Sequence, residues 1–176
     1  MKVLKKISII VIAIIALFLI VAVFLPTQYV VTRGIEINKP VYQVYGYVAD
    51  FNNFQAWNPW TPLEPGHNYE VLGDSATVGQ KYSWEGKIIG SGEMVFTHFT
   101  QNEAIKSDIA FLSPQQGKGE VEWTFEGDSN MTKVSWSLIG EAGYPIGRYF
   151  GLMMDSMLGS NFEDGMKNLK EKCEAN

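Results

Sequence analysis

The chain carries two histidines, and one of them sits where it could serve as a base. His98 follows Met94 and Phe96 at every second position, a spacing that in a strand sends all three side chains to one face. If that face encloses a substrate, His98 is the candidate general base. The plain alternative is a rim histidine without chemistry. His67 lies in Glu64-Pro65-Gly66-His67-Asn68, a loop by composition, and reads as solvated. Glu85, Glu93, Asp108, Glu120 and Glu122 fall mostly in the register opposite to the large apolar residues, which makes them wet faces rather than acid/base pairs. Cys173 is the single cysteine, so an internal disulfide is excluded, and no Cys/His cluster at metal spacing accompanies it. It reads as packing on a helix face. Gly90-x-Gly92 and Gly117-x-Gly119 lack the strand-to-helix setting of a dinucleotide loop, and no G-x-S-x-G occurs. No metal and no cofactor is implied.

These residues must be positioned by elements, and the first element is the most legible. Ile7 to Leu25 is 19 residues long, interrupted only by Ser8, with no charge, amide or proline. As a helix at ~1.5 Å per residue it covers roughly 28 Å, close to the hydrocarbon thickness of a bilayer. A cleavable signal has a shorter apolar region and ends in small residues, whereas this run ends Val23-Phe24-Leu25-Pro26-Thr27-Gln28, with only Ala22 nearby. An uncleaved anchor at 1–26, with a transmembrane helix at about 7–25, is expected. Lys2, Lys5 and Lys6 precede the run, which puts the N-terminus in the cytoplasm and the rest of the chain outside. The expectation is a single-pass membrane protein with its folded domain at 27–176. Removing those three lysines leaves 11 basic residues against 19 acidic ones, a balance that argues against a nucleic-acid partner.

Beyond the anchor there is no repeat and no low-complexity stretch, so one domain follows. Gln28 to Ile37 is β-branched and reads as a strand. Val41, Val44, Tyr45 and Val48 fall at helical spacing, and a second short helix is expected over 51–57. Six period-two strands come next, at about 68–72, 79–87, 90–99, 104–112, 118–127 and 131–140. The last two alternate Val121, Trp123, Phe125 and Val134, Trp136, Leu138 with polar residues, and Gly127-Asp128-Ser129-Asn130 turns one into the other. An antiparallel meander follows. From Pro145 to about Cys173, apolar residues recur at helical spacing and predict one long helix. Its four glycines each cost about 1 kcal/mol relative to alanine in an exposed helix, which close approach to a curved sheet would offset.

This order of elements resembles the helix-grip fold of the START, pollen-allergen and polyketide cyclase/dehydrase superfamily, SRPBCC. Trp57-Asn58-Pro59-Trp60 is similar to its W-[SN]-P-W stretch. Gly79-Gln80-Lys81-Tyr82-Ser83-Trp84, Gly90-Ser91-Gly92-Glu93-Met94, Thr132-Lys133-Val134-Ser135-Trp136 and the stretch Phe162 to Lys170 are similar to its membrane-anchored, polyketide-cyclase-like branch. The resemblance spans nearly all of 28–173. It implies an α+β fold in which a curved antiparallel seven-stranded sheet grips a long C-terminal helix, behind one N-terminal transmembrane helix. It also implies a hollow between sheet and helix, and no shared catalytic motif. Function must be argued from the site.

Within that implied fold, strand parity points Tyr82, Trp84, Met94, Phe96, Ile109, Phe111, Trp123, Phe125 and Trp136 inward, facing Phe150, Met153, Met154 and Met157 of the helix. Trp57 and Trp60 stand at one end as mouth or plug. Such a group either fills an ordinary core or lines a pocket for an apolar ligand. The expected function is a membrane-tethered binding or carrier module for a hydrophobic or amphipathic, lipid-like small molecule. The alternative is a polyketide cyclase/dehydrase-like enzyme using the same cavity, with His98 as its base. A folded spacer that recruits a protein partner ranks last.

Overall fold

The apolar N-terminal run is helical up to Phe24. In the computed structural model, which describes residues 2–175, α1 (Lys2–Phe24) includes a 22-residue stretch, Val3–Phe24, long and apolar enough to cross a membrane. Proline stops it, because Pro26 has no amide to donate to the preceding turn. Leu25, Pro26 and Thr27 then lead into β1 (Gln28–Ile37).

Pro40 opens α2 (Val41–Val48), whose Val44 and Val48 are buried. The second short helix expected over 51–57 is a 3-10 helix, Phe51–Ala56, capped by the Asp50 side chain, which accepts from the Asn52 amide at 2.9 Å. A further 3-10 turn, Thr61–Leu63, follows.

Six strands then run up and down: β2 (Asn68–Leu72), β3 (Lys81–Glu85), β4 (Ser91–Thr100), β5 (Ala104–Ser113), β6 (Gly117–Gly127) and β7 (Thr132–Glu141). β1 returns beside β7, giving the order β1-β7-β6-β5-β4-β3-β2, antiparallel at every pairing. β3 is shorter than the expected 79–87 because Gln80 leaves the ladder. Its buried amide group accepts from the Phe51 amide at 3.2 Å and donates to Asp50 at 2.8 Å, tying the 3-10 helix to the sheet. β6 and β7 keep the period-two pattern: Val121, Trp123, Phe125, Val134, Trp136 and Leu138 are all buried. β4 does not keep it. Its register against β5 shifts at Ser91/Gly92 and at Phe96/His98, and an extra residue at such a point bends the strand and reverses the faces beyond it.

The expected single C-terminal helix is two helices, α3 (Ile146–Gly151) and α4 (Met154–Glu174). Gly151 is pressed against Ala142, where an added Cβ would lie 3.2 Å from the Ala142 methyl. α3 packs against α1 and the start of β1, and the chain must turn at Leu152–Met153 before it can lie across the sheet. α4 runs alongside β1. Arg33 binds Asp155 at 2.8 Å and Glu163 at 2.9 Å, Lys170 reaches the Glu36 carbonyl at 2.8 Å, and Glu174 accepts from the Asn38 amide at 2.9 Å. The two α4 glycines sit at close approaches, Gly159 under the Arg33 guanidinium and Gly165 against Trp136 and Pro59. The core lies between α4, α2 and the concave face of the sheet.

Candidate functional site

Between α4 and the sheet lies a cavity of about 200 Å³. Its inner wall is sheet: Met94 from β4, Ile109 from β5, Val121 from β6 and Trp136 and Leu138 from β7, all buried. Phe54 and Asn58 close one side and Phe162 of α4 another. Trp60, Trp84, Ile89, Phe111 and Leu158 also line it but are only half-buried, and so mark the opening. Three of these stand at one end of the sheet: Trp84 near the end of β3, Ile89 in the β3–β4 loop and Phe111 near the end of β5.

The lining is almost wholly apolar. None of the thirteen lining residues carries a carboxylate, amine, imidazole or thiol. Asn58 is the one side-chain amide, 5 % exposed. Its Oδ1 accepts from the Trp60 amide at 2.8 Å, and its side chain stands beside the Tyr82 hydroxyl, which receives a bond from Gln55 Nε2 at 2.6 Å. Gln55 in turn accepts from Thr61 at 2.7 Å. Burial pushes the Tyr82 hydroxyl up to about 12, so it stays neutral at physiological pH. The indole N–H groups of Trp57 and Trp136 are buried without a protein acceptor.

Aromatic stacking fixes this lining. Trp136 stacks on Trp123 with ring centroids 4.8 Å apart and on Phe162 at 4.0 Å, and Trp57 and Trp60 meet Trp136 edge-on at 5.9 and 5.8 Å. Trp84 lies over Gly92, its cross-strand partner, where an added Cβ would come within 2.5 Å of the indole. That contact, and not phosphate binding, is what Gly92 does. A second void of about 20 Å³ lies deeper, between Phe51, Phe96, Ser107 and Trp123, and shares Phe54, Met94, Val121 and Trp136 with the cavity as a common wall.

The mouth has a latch. Glu64 follows the Thr61–Leu63 turn, and its carboxylate accepts from three successive amides of the β3–β4 loop, Lys87 and Ile88 at 2.8 Å and Ile89 at 3.2 Å. Those bonds from Lys87 and Ile88, then Ile89, hold its carboxyl below the usual glutamate value. Spacing along the sequence gave no hint of this role, since the partners are backbone groups. His67 is buried rather than solvated, with Nδ1 3.0 Å from the Glu64 carbonyl; the turn folds its ring inward beside Tyr69.

The structure gathers Trp60, Trp84, Met94, Ile109, Phe111 and Trp136 around the cavity. Tyr82, Phe96, Trp123 and Phe125 face the same side of the sheet but are packed in the core around the cavity, as is Trp57 at the end of the 3-10 helix. Met154 packs against the core edge. Phe150, Met153 and Met157 turn outward, at 47 %, 54 % and 54 % exposure. The break after α3 resets the helical phase, so Leu158 and Phe162 take the inward positions instead. His98 is also outward: the register shift at Phe96/His98 hands the inner face to Phe99, which meets Phe96 at 5.0 Å, and leaves the imidazole 3.2 Å from the Thr100 hydroxyl at the surface. His98 is not in reach of the cavity. Among the described residues, no group of three or more His, Cys, Asp or Glu could hold a metal ion.

The sequence model of a family described as polyketide cyclase/dehydrase and lipid transport matches residues 28–174. Among curated proteins, none matches the chain. Solved structures share the fold at low identity. The Zhui aromatase/cyclase of Streptomyces sp. R1128 is 14 % identical with a TM-score of 0.58, over 84 % of this chain and 94 % of that one. Ara h 8.0201 is 11 % identical with a TM-score of 0.56, over 85 % and 99 %. DynU16, from the dynemicin biosynthetic locus, is 16 % identical with a TM-score of 0.59, over 82 % of this chain; the chain spans 47 % of DynU16's length.

Proposed function

The chain belongs to the polyketide cyclase/dehydrase and lipid transport family, and from that premise we propose that it is a membrane-tethered module that holds a hydrophobic or amphipathic small molecule in the cavity under α4. The observation that carries this reading is the lining: thirteen residues, apolar or aromatic but for one amide, around about 200 Å³. An apolar cavity of about 150 Å³ stays dry and takes up benzene, while pockets for whole drug-sized ligands run to about 300–1,000 Å³. The cavity therefore suits one substituted ring or a length of alkyl chain, with Asn58 as the polar group that orients it. A bulky lipid inserts a tail and leaves its head at the mouth. α1 supports the tether, with its N-terminal lysines on the cytoplasmic side and the domain outside. Tethering raises the local concentration of a ligand drawn from the same membrane.

A second reading, a cyclase or dehydratase using the cavity, is favoured by the Tyr82 hydroxyl, kept neutral by burial and bonded by Gln55, which stands directly behind the lining amide Asn58. Binding is preferred because no group of ordinary basicity touches the cavity.

The test is native and then denaturing mass spectrometry of the full chain released from detergent, beside the variant Ile109→Phe, which fills the cavity. One reproducible adduct per chain, lost on denaturation and missing from Ile109→Phe, is expected. A bare chain, or an adduct carried equally by both proteins, would overturn the reading.

A further inference from the structure

Three of the five half-buried residues at the cavity mouth have a strongly exposed apolar neighbour in sequence. Ile89 follows Ile88, at 73 % exposure; Phe111 precedes Leu112, at 53 %; Leu158 follows Met157, at 54 %. These pairs come from three different elements. Phe150, Leu152 and Met153, at 47 %, 59 % and 54 %, extend the same surface across the α3–α4 turn. Scattered exposed apolar residues need no explanation, but a set that rims an opening does.

The topology says what lies opposite. The β3–β4 and β5–β6 loops, the end of β7 and the start of β1 all stand at one end of the sheet. Only Leu25, Pro26 and Thr27 separate β1 from α1, a reach of at most about 10 Å. The mouth and the exit of α1 therefore share one end of the molecule.

Side chains around α3 fix the depth. Tyr149 donates to the Phe18 carbonyl at 2.7 Å and stacks on the Phe18 ring at 4.4 Å; Tyr144 donates to the Leu19 carbonyl at 3.2 Å. Arg148 donates to the Ala22 and Val23 carbonyls at 2.8 Å, at the negative end of the helix dipole. Phe18 lies six residues before the end of α1, which at ~1.5 Å per residue is about 9 Å along its axis. Val3–Phe24 spans roughly 33 Å by the same rise, against a hydrocarbon core of about 30 Å. With α1 across a bilayer, α3 stands level with its last two turns, in the boundary layer about 5–10 Å deep where amphipathic segments lie. Tyrosines and an arginine with a long apolar stem suit that layer.

We propose that the mouth is seated on the bilayer that α1 crosses: Ile88, Leu112, Phe150, Leu152, Met153 and Met157 lie in its interfacial layer, and ligand passes between acyl chains and cavity without crossing water. This rests on the reading of α1 as a membrane span. The occupant of the apolar rim is lipid rather than a protein, because the three-residue link and the clamp on α1 leave no room for a protein between rim and membrane.

The full chain, with Cys173→Ser, is placed in vesicles of phosphatidylcholine and phosphatidylglycerol, and single nitroxide labels are read for their relative accessibility to oxygen and to a water-soluble nickel chelate. Labels at Ile88→Cys, Met153→Cys and Met157→Cys are expected to favour oxygen several-fold over labels at Gln101→Cys and Ser129→Cys, at the opposite end of the sheet. A label at Ile14→Cys reports on α1. A deep Ile14 label with rim labels as open to nickel as Gln101 and Ser129 overturns the seating alone. A shallow Ile14 label overturns the anchor, and the seating with it.

Discussion

One carboxylate organises the entrance to the cavity. Glu64 receives three backbone amides from the β3–β4 loop, and a charged acceptor makes each of these bonds stronger than its neutral counterpart. Glu64→Gln keeps the shape and loses the charge, so the amides of Lys87, Ile88 and Ile89 are expected to exchange with solvent deuterium several-fold faster at neutral pH, with β-sheet amides unchanged. The same carboxyl is depressed in the folded protein. Its contribution is therefore complete above the ordinary glutamate value of about 4.3 and is lost as the pH falls below that through the folded value. An amide chemical-shift titration of residues 87–89 should show one transition on the acid side of that value. His98 makes the contrasting case. Exposed, and with Thr100 as its one side-chain partner among the described residues, it should tolerate His98→Ala with a change in stability within about 0.5 kcal/mol and no loss of the bound mass. A collapse of binding in that variant would mean that the bulge is misplaced.

At the scale of elements, the glycines in helices separate into two kinds. Beyond its chain neighbours and its own helix backbone, a Cβ on Gly46 of α2 would meet no described atom within 4 Å, whereas a Cβ on Gly165 of α4 would lie 2.8 Å from the Trp136 ring and 3.1 Å from Pro59. Gly46→Ala should therefore stabilise by roughly 0.5–1 kcal/mol through helix propensity. Gly165→Ala gains the same propensity but overpacks two rigid rings, at about 1–3 kcal/mol. Thermal melts in detergent should shift upward for the first and downward for the second, by a few degrees each. Gly165 also shows why the sequence is readable where it is. Strands β5 to β7 declare themselves because each has one wet and one dry face, so composition alternates with geometry. The bulge in β4 inserts a residue without changing that composition, and the parity of Met94, Phe96 and His98 runs straight through it. The α3–α4 break is hidden for a related reason. Apolar residues recur on both sides of it, but those of α3 and the turn, with Met157, face outward, and the rest of those on α4 face the sheet and the cavity, so a continuous period of 3.6 counts two surfaces as one. Glu64 is illegible in a third way, since a carboxylate that binds main-chain amides leaves no paired residue to find.

The whole molecule couples α1 to its cavity through a small joint. Tyr144, Arg148 and Tyr149 bond the carbonyls of the last two turns of α1, and Arg148 also lies over the Tyr144 ring at 5.5 Å. Residue 151, where α3 ends, is three residues from the start of α4, so under the proposed seating the joint sets how the cavity mouth meets the membrane. Replacing all three as Tyr144→Phe, Arg148→Ala and Tyr149→Phe removes the bonds while leaving α1 and the lining untouched. α1 remains; its angle to the domain is freed. An ω-brominated dodecanoic acid quenches the indoles of Trp60, Trp84 and Trp136 when its tail enters the cavity, which allows equilibrium and rate to be read separately. In detergent, where ligand arrives from solution, the triple variant should bind with the affinity of the parent chain. In vesicles preloaded with the same acid, uptake should slow several-fold, because the mouth spends less time against the acyl chains. Loss of affinity in detergent would instead show that the joint shapes the cavity, and equal uptake rates in vesicles would show that three residues of linker orient the domain without it.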